Sequence, residues 1–115
     1  MAPIPEPDVE VPKGNKKKGA KLFKAKCAQC HTAEKGGAAK SGPPLWGIFG
    51  REAGSGAFGA YSDAINNSGI TWSEEHMFEF LIKPKKYLVG TKMVFAGIKK
   101  EKERADLIAY MQTLA

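Results

Sequence analysis

Both cysteines of the chain lie in one pentapeptide, CAQCH, at residues 27–31. The same five residues end in His31, one of the two histidines in the sequence. Two thiols and an imidazole at this spacing can ligate a metal ion, exchange disulfides or anchor a cofactor. Three kinds of chemistry are therefore open at Cys27, Cys30 and His31.

A structural zinc ion is the first alternative, and such a site normally has four protein ligands. The pentapeptide supplies three candidate ligands. The other histidine, His76, lies in the polar first turn of a predicted helix, where we expect a solvated side chain. A zinc site would be one ligand short.

Thiol–disulfide exchange is the second alternative. A C-x-x-C redox motif is expected next to a βαβ pattern, where a helix N-terminus lowers the pKa of a thiol. The sequence shows no strand pattern, so this chemistry lacks the fold that normally supports it.

Attachment of a c-type haem is the third alternative, because C-x-x-C-H is its signature. Cys27 and Cys30 would form thioethers to the porphyrin edge, and His31 would bind the iron from one face of the ring. This interpretation is favoured. Two buried cysteines without a cofactor are the main remaining alternative.

The sixth iron ligand separates an electron carrier from an oxygen-binding or peroxidase-like protein. Met77 and Met111 lie on apolar helical faces, where methionine usually fills a core. Met93 instead lies in an aperiodic stretch that contains glycine, 62 residues after His31. A loop there could cross the opposite face of the haem, so Met93 is the candidate ligand.

The surrounding elements are predicted to be helices separated by long loops. Asn15 is a plausible N-cap for a helix over Lys16–Lys26, and Ser73 for one that ends before Pro84. The last helix is predicted over about 100–114, with Arg104, Leu107, Ile108, Met111 and Leu114 on its inner face. A brief helix is expected in SDAINNSG, residues 62–69, and glycine-rich loops over 32–61. The class is all-α.

Length and charge limit what the molecule can be. A chain of 115 residues fits one domain, 14–115, preceded by a Pro-rich extension, 1–13, that we expect to be flexible. The net charge is +6; residues 1–13 contribute three acids and one lysine, −2, so the domain carries +8. Such a basic surface attracts acidic proteins, anionic membranes or nucleic acid, and charge alone does not choose among the three. We see no signal peptide or membrane span. Of the three kinds of partner, nucleic acid is the one that we do not expect.

Several motifs in register resemble mitochondrial-type cytochrome c. They are CAQCHT, GP.L.G..GR, AYSDA, GITW, KPKKYLVGTKMVFAGIKK and ERADLIAY, and the resemblance covers residues 14–115. It implies a class I cytochrome c fold, with three to five short helices and long loops around one covalently attached haem c. It also implies that Gly19 and Phe23 meet Leu107 and Tyr110 where the first and last helices cross.

The resemblance assigns the site residues. It implies Cys27 and Cys30 as thioether anchors, and His31 and Met93 as iron ligands. Pro43 would accept the other N–H of His31 through its carbonyl, a contact that orients a ligating imidazole. Further haem contacts are implied for Arg51, Tyr61, Trp72 and Thr91.

The resemblance also implies a function: a soluble, monomeric, one-electron carrier between the cytochrome bc1 complex and cytochrome c oxidase, in the mitochondrial intermembrane space. The predicted docking face consists of lysines: Lys21, Lys26, Lys40, Lys85, Lys86, Lys92, Lys99 and Lys100. The alternatives are a haem peroxidase that has lost its methionine ligand and a signalling protein that uses the same lysines.

Four residues depart from the family pattern. Ile65 and Phe80 replace polar residues near the methionine ligand, which predicts a drier haem pocket that holds Met93 firmly. Pro44 removes an N–H beside Pro43, and Val89 replaces a proline before Gly90. The Val89 change is expected to loosen the Met93 loop.

Overall fold

A computed structural model of the chain describes residues 4–29, 31–37, 45–52, 69–88 and 95–114. Four helices lie in these ranges: α1, Lys16–Lys26; α2, Glu74–Phe80; α3, Pro84–Tyr87; and α4, Glu101–Met111. In the same ranges, β pairing is limited to an isolated antiparallel bridge between Glu52 and Thr71. The all-α prediction is confirmed. Among the described helices, none has the length and apolar character needed to cross a membrane.

Helix α1 begins and ends where the sequence predicts. The Asn15 side chain accepts a hydrogen bond from the Lys18 N–H at 3.0 Å, which satisfies one of the unpaired donors of the first turn. Gly19 and Phe23, four residues apart on one face, are buried. The lysines of α1 occupy the exposed faces. This face pattern fixes which side of α1 turns to the core.

The buried face of α1 crosses α4. The rings of Phe23 and Tyr110 lie 5.5 Å apart with an interplanar angle of 53°. A Cβ at Gly19 would overlap the backbone carbonyl of Asp106 and lie 2.7 Å from the Cβ of Tyr110. The predicted crossing is confirmed, and it depends on glycine because the two backbones touch there.

Asp106 fixes the register of this crossing. Its Oδ1 accepts hydrogen bonds from the Asn15 N–H at 2.7 Å and from Lys102 Nζ at 3.0 Å, although the residue is only 3% exposed. Burial alone would raise the pKa of this carboxyl, but these two hydrogen bonds and the charges of Lys102 and Lys18 together lower it below its ordinary value. The ionised form is therefore the one that the folded state stabilises.

We expect Asp106→Asn to lower the free energy of unfolding at about pH 6, with the deficit shrinking as the pH falls to about 3. A depressed carboxyl pKa stabilises the fold above the unfolded value of 3.8, and this contribution is lost as the pH falls through the folded pKa. Urea unfolding of parent and variant at both pH values measures the deficit. A deficit that does not change with pH would show that Asp106 acts by packing alone.

Helix α2 begins at the predicted cap. The Ser73 hydroxyl accepts from the His76 N–H at 3.2 Å, and Glu74 and Glu75 lie in the first turn, where the helix dipole favours negative charge. Helix α3 follows within a few residues and has Pro84 at its first position. The sequence did not predict α3, because four residues are too few to show a helical period.

Helix α4 ends three residues earlier than predicted. Beyond Met111 the chain continues in tight turns, closed by Thr113 N–H to the Tyr110 carbonyl at 2.9 Å and Leu114 N–H to the Met111 carbonyl at 3.0 Å. Leu114 is still buried, so the turns keep its side chain in the core. The other residues of the predicted inner face are buried as well: Arg104, Leu107, Ile108 and Met111.

Residues 4–13 lie on the surface of the domain. The exposed side chains of Glu6, Asp8 and Glu10 alternate with partly buried ones, and Val9 and Val11 pack against the hydrophobic core. This alternation is that of an extended chain with one inward face. The mobility predicted for residues 1–13 stays a prediction. The brief helix predicted at 62–69 lies outside the described residues, except for Gly69.

Candidate functional site

Cys27 and His31 lie one helical turn apart at the end of α1. The Cys27 N–H donates to the Phe23 carbonyl at 2.8 Å, and the His31 N–H donates to the Cys27 carbonyl at 2.9 Å. This second bond closes a turn that brings the backbones of Cys27 and His31 together. Helix α1, held by its crossing with α4, positions this turn.

The surroundings of the turn suit an apolar cofactor edge. Cys27 and His31 are half-buried, and Cys27 packs against the hydrophobic core with Ala28 and Ala33. The hydroxyl of Thr32, next to His31, is buried without a hydrogen-bond partner in the structure. A thiol that packs against apolar side chains, with an imidazole one turn further along the chain, can contribute an anchor and a ligand for a covalently bound haem. These residues fit the group.

Arg51 and Trp72 are brought together by backbone pairing. The Trp72 N–H donates to the Arg51 carbonyl at 2.9 Å, and the Gly50 N–H donates to the Trp72 carbonyl at 2.7 Å. Trp72 is buried and packs edge-on against Phe80, with 5.2 Å between ring centroids. Arg51 is partly buried, and its Nη1 is 3.4 Å from the Trp46 carbonyl. Two of the predicted haem contacts therefore occupy neighbouring positions.

The remaining predicted haem residues lie outside the described residues: Cys30, Pro43, Tyr61, Thr91 and Met93. So do three of the four departures from the family pattern: Pro44, Ile65 and Val89. The fourth, Phe80, is buried among aromatic rings. The drier pocket stays a prediction.

Six of the eight lysines predicted to form a docking face are described, and all six are exposed: Lys21, Lys26, Lys85, Lys86, Lys99 and Lys100. They lie on α1, on α3 and just before α4. Lys40 and Lys92 lie outside the described residues. Among the described residues, these six side chains are therefore open to solvent.

His76 is not solvated as the sequence predicted, because only 4% of it is exposed. Its Nδ1 lies 2.7 Å from the hydroxyl of Tyr87, the last residue of α3. A first-turn position is exposed when nothing packs over it, but here α3 folds back onto the start of α2. No sequence signal marked this contact, since the two residues are 11 positions apart and α3 itself shows no periodicity.

Burial lowers the pKa of His76 below 6.5, and the charges of Glu6 and Glu75 partly oppose this. A histidine held neutral in the fold stabilises it above the unfolded pKa, and this contribution is lost as the pH falls through the folded pKa. We therefore expect the free energy of unfolding to decrease between about pH 7 and pH 5. In His76→Asn we expect this decrease to be smaller. Urea unfolding of parent and variant across this pH range measures the difference.

Glu6→Gln provides a matched test, because it removes a charge that raises the His76 pKa. The free energy of unfolding should therefore decrease more in this variant than in the parent when the pH is lowered from about 7 to 5. Glu10→Gln, at an exposed position of the same segment, should leave the slope as in the parent. Equal slopes in the two variants would contradict the role of Glu6.

Comparison with known proteins decides the family. A family model described as Cytochrome c matches residues 16–115. The chain belongs to the cytochrome c family. It is 62% identical to cytochrome c of Theileria parva over 94% of this chain and 93% of the relative. It is 64% identical to cytochrome c of Theileria annulata over the same shares, and 56% identical to that of Chlamydomonas reinhardtii over 90% and 92%.

Membership confirms the resemblance drawn from the motifs and gives the chain its general role. Proteins of this family are haem-containing electron carriers and not enzymes, and the relatives identify a mitochondrial-type member. The peroxidase alternative has no support from the family.

Proposed function

We propose that this protein carries single electrons from the cytochrome bc1 complex to cytochrome c oxidase in the mitochondrial intermembrane space. The observation that supports this best is the Cys27–His31 turn, in a chain of the cytochrome c family. A bound haem would supply a metal centre that gains or loses one electron.

In this proposal the haem would be held by Cys27 and Cys30 as thioether anchors and by His31 and Met93 as iron ligands. Pro43 would orient His31, and Thr91 would act beside Met93. Arg51, Tyr61 and Trp72 provide donors for the haem propionates, since acid groups are costly to bury without hydrogen bonds. The backbone pairing of Arg51 with Trp72 supports a shared role for these two residues.

A visible spectrum of the haem-loaded protein tests this site. We expect a low-spin reduced spectrum and, in the oxidised protein, a methionine-to-iron charge-transfer band. Met93→Ala should abolish that band, whereas Met111→Leu, at a buried position of α4, should retain it. Retention of the band in Met93→Ala would refute Met93 as the ligand.

Partner selection rests on charge. The eight lysines form a docking face for acidic surfaces on the two membrane complexes, and the same face allows peripheral contact with anionic lipid. Complexes of this kind form fast and weaken with salt, which suits a monomeric carrier that must be released after each transfer.

Two lysines of α1 make a matched test of this face. Lys26→Glu should slow electron transfer to the oxidase several-fold at low ionic strength, and the difference should fade as salt is added. Lys24→Glu, equally exposed on α1 but outside the proposed face, should have little effect. Equal losses in both variants would mean that net charge, and not this face, governs the rate.

A further inference from the structure

A half-buried tyrosine is hydrogen-bonded to a buried histidine where α3 folds back onto α2. The Tyr87 hydroxyl lies 2.7 Å from His76 Nδ1, and the two rings meet edge to face with their centroids 6.1 Å apart. The Tyr87 ring also packs edge-on against Phe80, with 6.2 Å between ring centroids. Two aromatic contacts and one hydrogen bond therefore fix the hydroxyl against the imidazole.

The Tyr87 hydroxyl is the donor of this hydrogen bond. A phenol is a stronger acid than a neutral imidazole, so the O–H donates to Nδ1 and the His76 ring carries its own hydrogen on Nε2. Burial lowers the pKa of His76 below 6.5, which keeps the imidazole neutral. Burial and the charges of Glu79 and Glu6 raise the pKa of Tyr87 to about 12, so the hydroxyl stays protonated. In the resting protein the proton thus stays on oxygen, with a basic nitrogen at hydrogen-bond distance.

Loss of an electron from the Tyr87 ring reverses this preference. A phenol that has lost one electron is a strong acid and gives its proton to a base that is already hydrogen-bonded to it. A base in position for such a transfer lies within about 2.6–3.2 Å of the donor atom, and His76 Nδ1 meets this requirement. The charges of Glu6 and Glu75 raise the pKa of His76, so they favour the imidazolium that results.

The electron and the proton have different exits. Tyr87 is partly exposed, so an electron acceptor in solution can approach its ring without any opening of the fold. His76 is only 4% exposed, so the imidazole receives the proton inside the protein. The charged groups around the pair lie on the segment before α1, on α2 and on α3: Glu6, Glu75, Glu79, Lys85 and Lys86.

We propose that Tyr87 is a proton-coupled electron donor to strong one-electron oxidants, with His76 as its proton acceptor. The electron passes from the Tyr87 ring to the oxidant, which is reduced by one electron. The O–H bond of Tyr87 breaks and an N–H bond forms at His76 Nδ1, which leaves a neutral phenoxyl radical and an imidazolium. This activity is separate from the proposed electron transfer through the haem, and it does not depend on which residues bind the iron.

The test uses the haem-loaded full chain in its ferric form, in which the iron has already lost its transferable electron. The oxidant is tris(bipyridine)ruthenium(III), generated by a laser flash with a cobalt(III) ammine as quencher. Electron paramagnetic resonance of rapidly frozen samples should show a tyrosyl radical. Tyr87→Phe should remove most of this signal and slow the reduction of ruthenium(III), and the part of the rate that is lost is the Tyr87-dependent rate. Tyr110→Phe, which deletes a hydroxyl at the α1–α4 crossing, is the matched control and should keep both signal and rate.

Two variants at His76 separate proton acceptance from hydrogen bonding. His76→Leu removes the base, whereas His76→Gln offers an amide oxygen that accepts a hydrogen bond but does not take up a proton. A positioned base speeds a proton transfer by about 10²–10⁴-fold, so the Tyr87-dependent rate should fall about 100-fold in both variants. An unchanged ferric haem spectrum shows that each variant keeps its fold.

The parent protein tests the proton acceptor without any substitution. The Tyr87-dependent rate should decrease when the pH is lowered far enough to protonate His76, which its lowered pKa places below 6.5. The same rate should be slower in heavy water, because the O–H bond breaks in the step that is measured.

A tyrosyl signal of parental size in Tyr87→Phe, or an equal loss in Tyr110→Phe, would overturn Tyr87 as the donor. A parental rate in His76→Gln would overturn His76 as the proton acceptor, because a hydrogen bond alone would then be enough. A parent rate that stays constant from about pH 7 to about pH 4 would do the same, since a protonated imidazole has no free Nδ1 lone pair.

Discussion

Gly19→Ala will lower the free energy of unfolding by about 3 kcal/mol, although alanine is the better helix former. Helix propensity alone would stabilise α1 by about 1 kcal/mol. The new methyl group, however, would overlap the backbone carbonyl of Asp106 and crowd Tyr110, so α1 must move away from α4. A rigid backbone atom cannot give way as a flexible side chain can, and the hydrogen bond from Asn15 to Asp106 would be strained by the same shift.

Urea unfolding of the haem-loaded protein measures this loss. Ala25→Gly, at an exposed position on the same helix, is the matched control and should cost about 1 kcal/mol through propensity alone. A Gly19→Ala variant that is as stable as the parent, or more stable, would show that the crossing tolerates a wider separation than the structure shows.

Arg104→Met is expected to destabilise the protein by about 3–5 kcal/mol. Arg104 is 3% exposed, and its guanidinium lies 4.3 Å from the centre of the Phe78 ring. Methionine keeps most of the aliphatic part of the arginine side chain, but it leaves the carbonyls of Ile98 and Lys99 without their hydrogen-bond donor. A buried carbonyl that loses its hydrogen bond costs about 1–3 kcal/mol, and the cation–π contact is lost as well.

Arg104→Lys should lose less than Arg104→Met, because an ammonium keeps the charge over Phe78 but cannot place a planar donor against two carbonyls. Lys16→Met, at an exposed site on α1, controls for removing a cation and should change stability by less than about 0.5 kcal/mol. Midpoints of unfolding in guanidinium or urea measure the stabilities of these variants. Equal values for the lysine and methionine variants would show that the charge contributes nothing.

The sequence predicted those parts of the fold that local chemistry specifies. Asn15 and Ser73 are side-chain caps, and the helices that follow them begin at the next residue. Gly19 and Phe23 stand four positions apart, which identified the buried face of α1 before any partner was known. The CAQCH motif is equally local, so the sequence alone placed Cys27 and His31 close together, and the structure shows them on one turn.

Contacts between distant segments could not be predicted in this way. His76 was expected in solvent because its own helix offers only a polar first turn, and its burial depends on α3, which is too short to leave a pattern. Leu114 was assigned to a helix because it continues the apolar period of α4, yet two turn hydrogen bonds bring it into the core without a further turn of helix. The partner that buries a residue is a property of the tertiary fold.

The surface segment that precedes α1 has a consequence for self-association. An extended chain at the edge of a protein can pair with the edge of another copy through its free N–H and C=O groups. Here Pro5, Pro7 and Pro12 lack an N–H, so the segment cannot form a continuous ladder. Its outward face carries Glu6, Asp8 and Glu10, which would oppose the same three carboxylates of an antiparallel neighbour. A docked extended segment can thus remain solvent-facing at high protein concentration without becoming a template for β-aggregation.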